Sequence, residues 1–89
     1  MSLTLSDGSD AELAALALAG RQDAYRELLA RHRESVFRLV RAATGDPHEA
    51  LDLTQETFVA AFAALRSYDR ERPFAVWVKR IALNKCRDW

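Results

Sequence analysis

Residues Asp46-Pro-His-Glu-Ala-Leu-Asp-Leu-Thr-Gln-Glu-Thr-Phe-Val-Ala-Ala-Phe-Ala-Ala-Leu65 read as one helix with a marked start. Asp46 suits the N-cap and Pro47 the first helical position. Glu49 stands three residues after the cap, where it can complete a capping box. At helical spacing Leu51, Thr54, Phe58, Ala61, Phe62 and Leu65 share one side, the stripe of a core-facing helix. Glu49, Asp52, Gln55 and Glu56 share another, with Leu53 beside them and off the stripe. Asp52 and Glu56 are like charges four apart, which costs an isolated helix about 0.2–0.5 kcal/mol. Two readings fit that face. It is either shaped for a basic partner or a solvated acidic surface with one apolar residue, an ordinary surface feature.

Upstream, Ser9 and Glu12 form a Ser-x-x-Glu capping box that opens a short helix running to about residue 19, with Gly20 after its end. Asp23 is read as the cap of a longer helix running to about residue 43. Tyr25, Leu28, Leu29, His32, Val36, Phe37 and Val40 form its inward stripe, and His32 is read as a satisfied, partly buried histidine. Gly45 ends that helix directly before Asp46, and so short a connection makes the two helices antiparallel neighbours. Residues 66–73 break the periodicity as a polar loop. A last helix begins near Pro73 or Phe74, with Phe74, Trp77, Val78 and Ile81 inward and Val76, Leu83, Lys79, Arg80 and Arg87 opposite. The expected fold class is all-α, a bundle of about four helices, with residues 1–8 a flexible tail and 9–89 one domain. The last helix shows no stop signal at Trp89, so the chain reads as a fragment of something longer.

The chain has 89 residues, and its 13 basic and 13 acidic side chains give zero net charge. The charge is unevenly placed. Residues 1–65 hold six basic and ten acidic side chains (6 − 10 = −4), and residues 66–89 hold seven and three (7 − 3 = +4). A domain polarised in this way suits two partners of opposite sign, one of them nucleic acid. No apolar run approaches a membrane span, and the N-terminal stretch lacks the basic flank and apolar core of a signal peptide. Cys86 is the single cysteine, so no intrachain disulfide forms, which fits a reducing compartment.

No catalytic constellation and no Gly-rich phosphate loop is present, so no enzyme activity and no cofactor is expected. His48, Glu49 and Asp52 lie close on one helix but lack a second matching segment, and no metal site is assigned. Cys86 lies between Lys85 and Arg87, which favour a thiolate, yet a small helix residue is its more ordinary role. Tyr68, Phe74 and Trp77 are interleaved with Arg66, Arg70, Arg72, Lys79, Arg80 and Arg87. Cations hold phosphates and aromatic faces stack on bases, a combination suited to single-stranded nucleic acid. Phe74 is read as core. For Tyr68 and the Arg80–Asn84 edge, a core or solvated role and a binding role fit the pattern equally.

Asp52-Leu53-x-Gln55-Glu56-x-Phe58, then Trp77, Ile81-Ala82-x-Asn84 and Asp88, resembles region 2 of bacterial sigma factors of the extracytoplasmic-function group. Ala19-Gly20-Arg21-Gln22-Asp23-Ala24-Tyr25 is similar to that group's first conserved subregion, with Gly20 and Asp23 two residues further apart than the family's adjacent pair. Val78 stands where the family commonly has leucine. The resemblance implies docking on the clamp helices of RNA polymerase's largest subunit through Asp52, Leu53, Gln55 and Glu56. It also implies capture of the non-template strand of the promoter −10 element by Tyr68, Arg80 and Asn84, with Arg66, Ser67 and Lys79 in support. It further implies a cytoplasmic bacterial protein and, often in the family, an anti-sigma factor covering the same surfaces. The resemblance implies that these residues correspond to region 2 alone, without the region 4 domain that reads the −35 element. The competing class is a helical adaptor without a DNA role.

Overall fold

The structure, a computed structural model, describes residues 5–89. Its order is a 3-10 turn at Leu5–Asp7, α1 at Asp10–Leu18, α2 at Gln22–Thr44, α3 at Pro47–Ala63, a second 3-10 turn at Leu65–Ser67, and α4 at Phe74–Asp88. The four expected helices are present, and the described residues contain no strand. None of these helices is long and apolar enough to cross a membrane. Of the expected tail, residues 1–4 lie outside the described residues. Leu5 packs on the core, and its carbonyl accepts from the Arg31 guanidinium (3.1 Å), so the tail reading does not extend that far.

α1 starts as the sequence dictates. Ser9 Oγ accepts from the Glu12 N–H (3.1 Å) and Glu12 Oε1 accepts from the Ser9 N–H (2.9 Å). Held by the Ser9 backbone N–H and, to a lesser extent, the Ser9 side chain, the Glu12 carboxyl titrates below its ordinary value. At its other end Gly20, at φ 101°, lets the Gly20 and Arg21 N–H groups reach the Ala17 and Leu16 carbonyls (3.0 Å each), a Schellman closure. That closure leaves Arg21 extended, so α2 starts two residues before the expected site and Arg21, not Asp23, is its N-cap. Asp23 sits inside the first turn and grips the Arg21 guanidinium (3.0 and 2.7 Å), which holds its carboxyl below the ordinary carboxylate range.

α2 is the spine and packs against each of the other helices. It ends at Gly45, whose left-handed φ of 72° turns the chain directly into α3. A Cβ at Gly45 would meet nothing within 4 Å, so Gly45→Ala tests the backbone alone. It is expected to lower the unfolding free energy by about 1–2 kcal/mol, read as a shifted urea midpoint at constant slope. Asp46 caps α3 through the His48 and Glu49 N–H groups (2.9 and 3.4 Å). The expected box is half formed, because the Asp46 N–H meets Thr44 Oγ1 (3.3 Å) rather than Glu49.

Of the stripe expected on α3, Thr54, Phe58 and Ala61 are buried and Phe62 half-buried, but Leu51 points outward and Leu53 inward. Ala50, Leu53, Thr54, Thr57, Phe58 and Ala61 point inward. Leu53 is only 5% exposed, while Leu51 is 52% exposed. The helix lies against both α2 and α4, which turns its small residues toward its neighbours. The two threonines donate to carbonyls one turn back, Thr54 to Ala50 (2.6 Å) and Thr57 to Leu53 (2.7 Å), and so go into the core fully satisfied. Leu65, expected at the end of this helix, instead starts the second 3-10 turn and is buried there. In α4, Phe74, Val78 and Ala82 are buried, Trp77 and Ile81 half-buried, and Val76 and Leu83 exposed, as the periodicity requires.

Candidate functional site

Two faces carry chemistry. The first is built by α3. With Leu53 turned inward, Asp52, Gln55 and Glu56 stand exposed together, and Val59 lies one turn on at 72% exposure. Asp52, Gln55, Glu56, Val59, Ala60 and Ala63 line a shallow groove of about 740 Å³ closed on the α4 side by Lys85. Leu53 leaves the exposed set assigned to this face and becomes its support. The apolar residue exposed on this face is Val59, which the spacing Asp52, Glu56, Val59 would have indicated. Among the described residues neither Asp52 nor Glu56 has an ion-pair partner, and no group of three metal-ligating side chains converges.

The second face lies where the 69–73 loop meets α4. Tyr68, Asp69, Arg72, Pro73, Val76, Trp77 and Arg80 line a cavity of about 350 Å³. Local bonds set the loop. Asp69 Oδ1 accepts from the Glu71 N–H (3.0 Å), the Asp69 carbonyl accepts from the Arg72 N–H (3.0 Å), and the Tyr68 hydroxyl donates to the Arg72 carbonyl. The Tyr68 ring stands edge-on to Phe74 (centroids 5.3 Å, 88°) and tilted against Trp77 (5.2 Å, 41°). Tyr68 is 7% exposed, so it is a wall of the cavity rather than a free ring.

Burial pushes the Tyr68 phenol above its ordinary value, with Asp10 and Asp69 adding to the shift. The stability this contributes is complete below the unfolded tyrosine's value of 10.0 and is lost as pH rises through the folded value. In a Tyr25→Phe background, absorbance titration is expected to show the remaining phenol ionising late and together with loss of helical signal. Ionisation at the ordinary value with the fold intact would contradict that. Cys86 also departs from the ordinary: burial raises its thiol, and the flanking cations do not activate it.

Of the residues assigned to DNA, Tyr68 and Arg80 share the cavity. Asn84 lies one turn beyond Arg80 on α4, exposed, its Oδ1 accepting from the Arg87 guanidinium (3.2 Å). That bond orients the amide. Lys79 is half-buried and lies outside the cavity lining, as do Arg66 and Ser67 on the 3-10 turn, where Ser67 Oγ donates to the Ala64 carbonyl (2.7 Å). Arg72 and Trp77, members of the interleaved set but not of the assigned DNA residues, also line the cavity, as does Val76, which the sequence placed only on the outer side of the helix. Only the loop's path reveals Arg72. Val76 and Trp77 follow from their one-turn spacing to Arg80. The cavity offers aromatic walls and two cations, with the oriented Asn84 amide beside it, groups of the kind that hold an unpaired base and its phosphate.

The family model described as Sigma-70 region 2 matches residues 28–89. The RNA polymerase sigma factor CnrH of Cupriavidus metallidurans is 42% identical over 82 residues, covering 92% of this chain and 43% of that protein. The ECF RNA polymerase sigma factor SigW of Bacillus subtilis is 35% identical over 65 residues, 73% of this chain and 35% of the other. The chain thus spans less than half the length of these relatives. Among solved structures, CnrH in complex with the cytosolic domain of CnrY superposes with a TM-score of 0.81 at 43% identity, covering 89% of this chain and 51% of that one. An engineered region 2 of sigmaE in complex with GTAAAA superposes at 0.86 and 32% identity, covering 99% and 88%.

Proposed function

The chain belongs to the Sigma-70 region 2 family, as the region 2 domain of an extracytoplasmic-function sigma factor, and from that premise we propose that it joins RNA polymerase to an opened promoter. The acidic α3 face, Asp52, Gln55 and Glu56 with Val59, docks on the clamp helices of the polymerase's largest subunit. The cavity of Tyr68, Arg72, Trp77 and Arg80 with the neighbouring Asn84 takes the non-template strand of the −10 element. Arg66, Ser67 and Lys79 are the outer support of that strand. The proposed setting is the bacterial cytoplasm, where polymerase and promoter meet. The observation that carries this reading is the separation of the two surfaces: exposed acids on α3, and cations with aromatic edges on the loop and α4.

Arg80 and Arg72 hold phosphate oxygens, Tyr68 and Trp77 offer stacking edges, and the Asn84 amide presents donors to a base edge. A matched base edge is worth about 1–3 kcal/mol of discrimination. Opening duplex DNA costs about 1.4 kcal/mol per step, so a few steps outweigh what one small cavity supplies. The domain therefore captures bases that are already fraying while polymerase contributes the rest. Appreciable duplex melting by the isolated chain would contradict this.

CnrH, solved with the cytosolic domain of CnrY, supports a third partner for this chain, an anti-sigma factor. SigmaE region 2, solved with GTAAAA, supplies the first probe. Fluorescence anisotropy with labelled single strands, GTAAAA and its single-base variants, is expected to show sequence-dependent binding. Asn84→Ala should flatten the preference at one position by about tenfold or more. Absence of binding even with core polymerase present would favour an adaptor without a DNA role.

A further inference from the structure

The strand-binding cavity has a rear support that reaches it from α1, on the far side of the aromatic cluster. His32 of α2 packs against Phe74 (centroids 5.1 Å, 47°), and Phe74 packs against both Tyr68 and Trp77, the walls of the cavity. His32 does not stand there unaided. Its Nε2 lies 2.8 Å from Asp10 Oδ2, with the two side chains 13% and 28% exposed. The other oxygen of Asp10 accepts from Arg31 (3.2 Å), whose Nε is bound to Glu27 (3.0 Å) and whose remaining nitrogen holds the Leu5 carbonyl. The charge of Asp10 is also felt at the Tyr68 phenol, which it helps to keep protonated. The chain of contact therefore runs Asp10, His32, Phe74, then Tyr68 and Trp77. A first-turn residue of α1 sets the ring angle of a residue that backs the cavity.

We infer that Asp10 and His32 are positioning residues for strand capture, a strut that holds the Phe74 ring and through it the Tyr68 and Trp77 walls in the binding geometry. This rests on the reading of the cavity as the strand site. The physical reason is preorganisation: an aromatic wall fixed before binding does not have to be ordered during it. A buried phenylalanine alone could rock within its pocket. A histidine pinned by a carboxylate at one end and packed on that ring at the other removes the freedom. Glu27, Arg31, Asp10 and the Tyr68 hydroxyl are the ionisable groups gathered around the strut.

The test uses the whole chain in a Trp89→Phe background, which leaves Trp77 as the only tryptophan. Two quantities are read: Trp77 emission with its quenching in the free chain, and the dissociation constant for labelled single-stranded GTAAAA. His32→Leu keeps bulk but loses the bond to Asp10. It should shift Trp77 emission and weaken strand binding about tenfold. His32→Gln, whose amide still donates to Asp10, should restore binding to within roughly threefold. Asp10→Asn should act in the same direction as His32→Leu, and it carries the test if His32→Leu loses its helical circular dichroism. Unchanged emission and affinity in Asp10→Asn and in a folded His32→Leu would overturn the inference, as would failure of His32→Gln to recover. If the parent chain binds no strand at all, the strand-site reading fails, while Trp77 emission still decides whether the strut sets the wall.

Discussion

Phe74→Ala is expected to cost about 3–5 kcal/mol of folding free energy and to abolish strand binding with it. Phe74 is fully buried where the 69–73 loop joins α4, and it is the one ring in contact with His32, Tyr68 and Trp77 together. Removing it empties the junction of α2, α4 and the loop, and the surrounding rings cannot collapse into that space without closing the cavity. A domain of 89 residues has a total stability of about 4–13 kcal/mol at the usual per-residue range, so the loss takes the variant toward its unfolding threshold. Urea unfolding should show a lower midpoint at unchanged slope. A loss of less than about 1 kcal/mol would mean that the aromatic cluster does not organise this end of the bundle.

The second large effect belongs to the other face. Asp52→Lys combined with Glu56→Lys should weaken binding to core polymerase by roughly 100-fold or more at low salt, because like charges set against a basic surface cost several kcal/mol. Both residues are exposed, so the fold should tolerate the change. The repulsion between positions 52 and 56 is merely exchanged for one of the opposite sign. Lys85, across the groove, adds a little more. The thermal midpoint is therefore the control. A large fall in polymerase affinity with a nearly unchanged melting curve assigns the effect to docking. Equal affinity for the doubly reversed variant would remove α3 from the proposed interface.

Two helix starts were legible because a side chain bonds backbone within three residues, Ser9 with Glu12 and Asp46 with His48 and Glu49, and a third because Pro73 presets the backbone ahead of Phe74. Such signals are complete in local sequence. The full buried face of α3 was only partly legible, because the exchange of Leu51 for Leu53 depends on what lies on either side. Only the tertiary arrangement tells that Ala50, Leu53 and Thr57 face neighbours while Leu51 does not. A threonine that bonds its own helix is indistinguishable in sequence from one that bonds water. The cap of α2 was misplaced for a related reason. Arg21 and Asp23 both lie at the turn, and the closure of α1 at Gly20, not side-chain preference, decides between them. Charge and aromatic interleaving pointed to the segment that carries the cavity, but the membership of Arg72 and Val76 depends on how the Tyr68 hydroxyl ties the loop.

The most direct test of the division of labour is to measure two affinities, for core polymerase and for a single-stranded −10-like oligonucleotide, on Asn84→Ala and on the Asp52→Lys, Glu56→Lys pair. The account predicts a crossed result: Asn84→Ala binds polymerase normally and loses base preference, and the α3 pair binds the strand normally and loses polymerase. If either variant loses both affinities while remaining folded, the two helices do not hold separate partners and the account is wrong.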